Sequence, residues 1–152
     1  MSDVVWGHRA VSVSRTIEAP AADVFAVLRN PALHPVIDGS GTVKAAREDS
    51  GPLLELGSRF GMDMKLGVPY RISNEVVEFE VDRRIAWRHM GGHRWRYTIE
   101  PSGEQSCTVT ETFDWSTARI PLLIQVPGMD RKAVGNMQQT LELLDRYMTS
   151  SN

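Results

Sequence analysis

Two patterns of apolar positions divide the chain. Between Val11 and Trp115 apolar residues recur at every second position in short runs, whereas from Asp130 to Met148 they recur at intervals of three and four. Alternation by two marks strands with one buried face, and three–four spacing marks a helix with one apolar stripe. In the last stretch Val134, Met137, Leu141, Leu144 and Met148 form the stripe, while Arg131, Lys132, Gln139, Glu142 and Arg146 fall on other faces. A stripe of that length needs a surface to cover it, and the large surface on offer is a sheet. The pattern predicts an α+β fold in which a curved antiparallel sheet, of about seven strands, wraps around a long C-terminal helix.

Taken in order, Val11, Val13 and Ile17 alternate with Ser12, Ser14, Thr16 and Glu18 in a first strand. Arg15 breaks that parity and is expected at a solvated edge. Pro20 stands where a helix begins, and Val24, Phe25 and Leu28 give that helix an apolar patch until Asn30-Pro31 ends it. A second short helical turn is expected over Ala32 to Ile37, followed by a flexible turn at Asp38-Gly39-Ser40-Gly41. Phe60, Met62, Met64 and Leu66 alternate with Arg59, Gly61, Asp63 and Lys65. Tyr70 to Val81 is a longer strand whose parity changes: Tyr70, Ile72 and Asn74 share one face, then Val77, Phe79 and Val81. A β-bulge near Val76 reconciles the two. Ile85, Trp87 and His89, then Trp95, Tyr97 and Ile99, then Cys107 to Trp115 complete the sheet. These hairpins are read with His89 opposite Trp95, Trp95 near Glu111, and Tyr97 one pair further along.

Composition narrows the function classes. The length of 152 residues suits one domain, 1–152 with a core of about 10–149. A net charge of -2 gives no electrostatic case for nucleic acid or an anionic membrane. Cys107 is the single cysteine, so no intrachain disulfide forms, and the N-terminus carries no secretory pattern. The apolar run Ile120 to Val126 is too short for a bilayer. The expected address is the cytoplasm. No HExxH or CxxC spacing suggests a metal, no phosphate-loop or nucleophile-elbow pattern is present, and neither metal nor cofactor is expected. Arg94 and Arg96 flank Trp95 and are expected on a solvated outer face.

Several stretches carry a family resemblance: VSVSRTIEAPAADVFAVLRNPALHPVIDGSGTV, EVVEFEVDRRIAWR, RWRYTIEP, TVTETFDWS and NMQQTLELLDRY. Together with the element order, they resemble the polyketide cyclase/dehydrase and lipid-transport branch of the START-like helix-grip superfamily (SRPBCC). The resemblance spans residues 10 to 149 and implies a helix-grip fold. It also implies either binding of a lipid, polyketide or similar molecule, or cofactor-free chemistry on one.

A curled sheet and one helix leave a space that large side chains must fill or line. Met62, Met64, Met137 and Met148 are expected around it with Phe60, Tyr70, Asn74, Phe79, Trp87, Trp95, Tyr97, Phe113 and Leu141. Methionine fills irregular cores and lines adaptable binding surfaces alike. Gly135 either makes room for a close neighbour or is a tolerated helix glycine. Glu111 is the odd member of an apolar row, and a carboxyl facing such an interior has its pKa raised. It is read as an acid, base or ligand-hydroxyl anchor, or else as a structural pair with an arginine. If the protein is an enzyme, of cyclase/dehydratase type, Glu111, Tyr97 and His89 are the catalytic candidates. His34, Asp38, Gly39 and Gly41 are read as the entrance. Binding of a small hydrophobic molecule by a monomer or homodimer is the favoured reading. A protein-interaction module, using Leu143 and Ile120–Val126, is the third.

Overall fold

The computed structural model describes residues 3–38, 43–46, 53–66, 68–88, 92–118 and 128–150, with the backbone alone at 43–46, 62–66 and 68–72. Among the described residues eight strands form one antiparallel sheet. They are β1 (Asp3–Gly7), β2 (Ala10–Ile17), β3 (Val43–Ala46), β4 (Arg59–Leu66), β5 (Val68–Glu80), β6 (Arg84–Arg88), β7 (Arg94–Gly103) and β8 (Ser106–Asp114). Their spatial order is β1-β2-β8-β7-β6-β5-β4-β3, so the early strand β2 lies beside the last one. Helix α1 (Ala21–Leu28), a 3-10 turn (Pro31–Leu33) and helix α2 (His34–Ile37) follow β2. The long helix α3 spans Met129–Thr149.

The expected α+β architecture is present, and its local causes are visible. Pro20 stands at the N-cap of α1 in an extended conformation, and Asn30 caps the 3-10 turn by accepting from the Ala32 N–H at 3.1 Å. Val76 pairs with Trp87 and Glu78 with Ala86, which leaves Val77 as the extra residue of a bulge. That bulge lies where the alternation changed parity, and the inserted residue restores an inward row on both sides of it. Strand β1 was not expected. Its Val4-Val5-Trp6 run does not alternate, and every residue of β1 is exposed.

Helix α3 packs on β2 and β8 and touches α2. Met137, Leu141 and Leu144 are fully buried, with Ala133 and Thr140 beside them, while Val134 and Met148 pack at the margins. Burial of the Leu and Met side chains stabilises the helix by about 1.5–3 kcal/mol each, before entropy is counted. Arg15 corrects the expectation of a solvated edge. Its Nε lies 2.8 Å from the Asp145 carboxylate, linking β2 to α3, with about three-quarters of each side chain covered. Gly135 is exposed, and a Cβ there would meet nothing within 4 Å, which matches the tolerated-glycine reading. No helix among the described residues is long and apolar enough to cross a membrane.

The outer face of the sheet is polar and cross-linked. Ser12 and Thr112 hydroxyls meet at 2.7 Å, and Ser14 and Thr110 at 2.8 Å. Glu78 takes Arg96 at 2.8 Å and Arg94 at 3.0 Å, and Arg96 also reaches Asp114 at 3.2 Å. Arg94 and Arg96 lie on the face expected of them, but in a partly buried ion network rather than in free water.

Candidate functional site

Strand register assembles the site. Tyr97 of β7 pairs directly with Glu111 of β8, and Glu111 pairs on its other side with Val13 of β2. Trp95 pairs with Trp87 on one side and with Phe113 on the other. The expected register, with His89 opposite Trp95, is therefore displaced by one pair. Among the described residues the pairing runs up to Arg88 with Arg94. Tyr97 and Glu111 are set side by side by the separate β7–β8 pairing, where Trp95 meets Phe113 instead of Glu111.

Both residues are buried, Glu111 at 4% exposure and Tyr97 at 5%. The two side chains are neighbours on paired strands, and Oε1 of Glu111 is buried without a hydrogen-bond partner. Loss of water pushes the Glu111 pKa well above the ordinary carboxylate range, with the Tyr97 hydrogen bond opposing and the negative charge of Asp38 adding to the rise. Tyr97 is pushed up in the same sense by burial first, then by Glu111 and Asp38. Burial thus favours the uncharged form of both members of the pair.

Aromatic rings continue the wall. Trp87 lies 5.7 Å from Tyr97 and 5.5 Å from Phe60 between ring centroids. The His34 imidazole stacks on Trp87 at 5.0 Å and meets the Phe60 edge at 5.6 Å. His34 is 8% exposed, so this residue, read as part of the entrance, lies inside. Its Nε2 is 2.9 Å from the Leu28 carbonyl oxygen. Because a carbonyl only accepts, Nε2 carries the ring proton and Nδ1 keeps its lone pair. Burial lowers the His34 pKa to about 4, against smaller opposing effects of the Leu28 carbonyl and Asp38. Asp38 itself is the C-cap residue of α2, and its charge reaches His34, Tyr97 and Glu111.

Asn74, opposite Phe60 across the β4–β5 pairing, is 3% exposed, and its Oδ1 has no partner. Phe113 and Trp95 are 4.6 Å apart, and Phe79 packs edge-on to Phe25 at 5.5 Å. Met137 and Leu141 face these strands from α3, both fully buried. The side chains of Met62, Met64 and Tyr70 lie outside the described residues, as do His89, Gly39, Gly41 and the 120–126 run. Among the described residues no group of three or more His, Cys, Asp or Glu side chains is placed to hold a metal.

The arrangement gathers a carboxyl, a phenol and an imidazole, groups that can donate and accept protons, in a dry setting. A family model described as polyketide cyclase / dehydrase and lipid transport matches residues 8–149. The chain belongs to this family. A relative in Mycobacterium tuberculosis, the uncharacterized protein Rv0088, is 42% identical over 109 residues, which make up 70% of this chain and 48% of that protein. The chain thus spans about half the length of the curated relatives it matches. A START superfamily protein from Mycobacterium smegmatis has a similar structure, with 16% identity, coverage of 96% of this chain and 100% of that one, and a TM-score of 0.73. A protein from Rhodobacter sphaeroides matches over 100% of both chains at 15% identity with a TM-score of 0.76. At such identities the two structures speak for the helix-grip fold alone.

Two features escaped the sequence reading. Thr140 is a polar member of the buried helix face, hidden because threonine breaks no helical period. Asp145, the partner of Arg15, gave no signal either, since the pairing joins residues 130 positions apart.

Proposed function

We propose that the protein binds a small, mostly apolar molecule between the sheet and α3, with the Glu111–Tyr97 pair at the polar end of the site. The observation that carries the reading is Oε1 of Glu111, buried and unpartnered beside the Trp87–Phe60 aromatic wall. A buried polar atom without a partner costs about 1–3 kcal/mol, and a bound polar group removes that cost. The apolar wall with few convergent polar groups is the usual make-up of a small-molecule site. Lipid and polyketide ligands both fit that description.

Native mass spectrometry of the purified protein, followed by solvent extraction, tests the reading together with saturable binding of an environment-sensitive apolar dye. Met137, fully buried on α3, supplies the control. Met137→Trp fills interior volume, so dye binding falls while the fold persists. A solid interior that takes up no dye and releases no extractable molecule refutes the proposal.

A second reading, a cofactor-free cyclase or dehydratase, draws on one specific observation. Burial raises the proton affinity of the Glu111 carboxyl and lowers that of the His34 imidazole within one aromatic cluster, and such a pairing separates acid from base roles. His34 joins Tyr97 and Glu111 in this version, beside the original candidate His89. Turnover abolished by Glu111→Gln, with folding intact, supports it over simple binding.

A further inference from the structure

We infer that the polar end of this site recognises an uncharged hydroxyl group on an otherwise apolar molecule and rejects carboxylates and phosphates. The inference rests on the binding reading above and gives it a ligand class. Its basis is the inventory of hydrogens and lone pairs. Burial of the Glu111 carboxyl beside the Tyr97 phenol favours its uncharged form, so the pair brings two O–H groups, at most one of which it can use on itself. One O–H is left to donate and several lone pairs to accept, and Oε1 of Glu111 has no partner. A hydroxyl donates and accepts at a single atom, so it satisfies the pair from both sides. Asn74 Oδ1, buried and unpartnered opposite Phe60, adds a second acceptor with the same preference for a donor.

An ionised carboxylate or phosphate brings only acceptors and needs a cation. The described cations near the interior are occupied elsewhere. Arg15 holds Asp145 at 2.8 Å, and Arg29 lies over the Phe79 ring at 5.1 Å with its Nε on the Leu54 carbonyl. Arg94 and Arg96 are on the outer face with Glu78. Among the described residues the outside charge that reaches both Glu111 and Tyr97 is that of Asp38, and it is negative. An ammonium group would suit Asp38, but against Glu111 it would require the carboxyl to ionise, leaving two charges out of water. A hydroxyl requires neither.

Four isosteric naphthalenes separate the alternatives by displacement of the bound dye: 2-naphthylmethanol, 2-naphthoate, 2-naphthylmethylammonium and 2-methylnaphthalene. The alcohol is expected to compete at about tenfold lower concentration than each of the others, a difference of about 1.4 kcal/mol. Glu111→Gln keeps this preference, because an amide also donates and accepts, whereas Glu111→Leu abolishes it. Equal or tighter binding of the carboxylate overturns the inference, and so does tightest binding of the ammonium with proton release. Dye binding with competition by 2-methylnaphthalene, but no advantage for the alcohol, overturns the hydroxyl inference and leaves the binding reading standing. If neither the dye nor any of the four binds, both fall.

Discussion

Replacing His34 by glutamine changes how stability depends on pH, and the size of the change follows from burial. In the unfolded chain an imidazole titrates near 6.5, whereas in the fold burial lowers it to about 4. Between those values the unfolded state binds a proton that the folded state does not. Stability from His34 is therefore intact above pH 6.5 and is lost as pH falls toward 4. At about 1.4 kcal/mol per pH unit, the loss over that window comes to about 3 kcal/mol. Glutamine still offers an N–H to the Leu28 carbonyl but does not titrate. Glu111 works in the opposite direction, because its folded pKa is raised above the ordinary 4.5. Its contribution is full below pH 4.5 and is lost as pH rises toward the folded value. Between 4.5 and 6.5 the two slopes oppose each other, so the parent protein conceals both. His93, also lowered by burial, adds to the His34 side, so each variant must be compared with the parent. Urea unfolding from pH 7.5 to 4 supplies the measurement. The His34→Gln variant should gain on the parent by up to about 3 kcal/mol as pH falls, and Glu111→Gln should gain as pH rises. Stability curves that stay parallel to the parent in both variants would refute the assigned burial of these groups.

The remaining predictions concern packing between helix and sheet. Leu141 is fully buried at the centre of the α3 stripe, so Leu141→Ala should cost about 2–5 kcal/mol in urea unfolding; a loss below about 0.5 kcal/mol contradicts the packing. The Arg15–Asp145 pair remains roughly a quarter exposed on each side chain. Its coupling in an Arg15→Ala, Asp145→Ala double-mutant cycle should be only about 0.2–1 kcal/mol, and halving it with added salt would confirm its exposure. A coupling above about 2 kcal/mol would mean that the link is as dry as a buried ion pair.

Legibility in the sequence followed the range of the interactions. Period-two alternation in β2, β4, β7 and β8 and the stripe of α3 are local patterns, and each became an element where it was expected. The bulge at Val77 was legible for the same reason, because two adjacent valines cannot share a face without one extra residue. The hairpin register between β6 and β7 was not, because a glycine pair marks a turn without fixing how many residues it takes. The β7–β8 register is a separate matter, and there the pairing of Tyr97 with Glu111 stands where Trp95 was expected near Glu111. His34 needed the path of α1 and the 3-10 turn, which fold it back so that its ring meets Trp87 and the Leu28 carbonyl. Strand β1 offered no alternation to read, since neither of its faces is buried.

Glu111 is costly where it stands. Its row runs through Val13, Tyr97 and Ile85, and each of these is buried. A leucine would suit that row better in transfer free energy, and one oxygen left without a partner costs about 1–3 kcal/mol. The fold does not depend on the carboxyl. The sheet is held by its ladder, its ion pairs lie on the other face around Glu78, and α3 is held by Met137, Leu141 and Leu144. A residue that breaks the local rule without a structural gain marks a position where stability is set against function. The penalty also has a use. Its desolvation is already incurred in the free protein, so a hydroxyl arriving at Oε1 meets an acid that water does not solvate. More of the hydrogen-bond free energy then appears as affinity, which is how a preorganised polar group in an apolar site gains specificity.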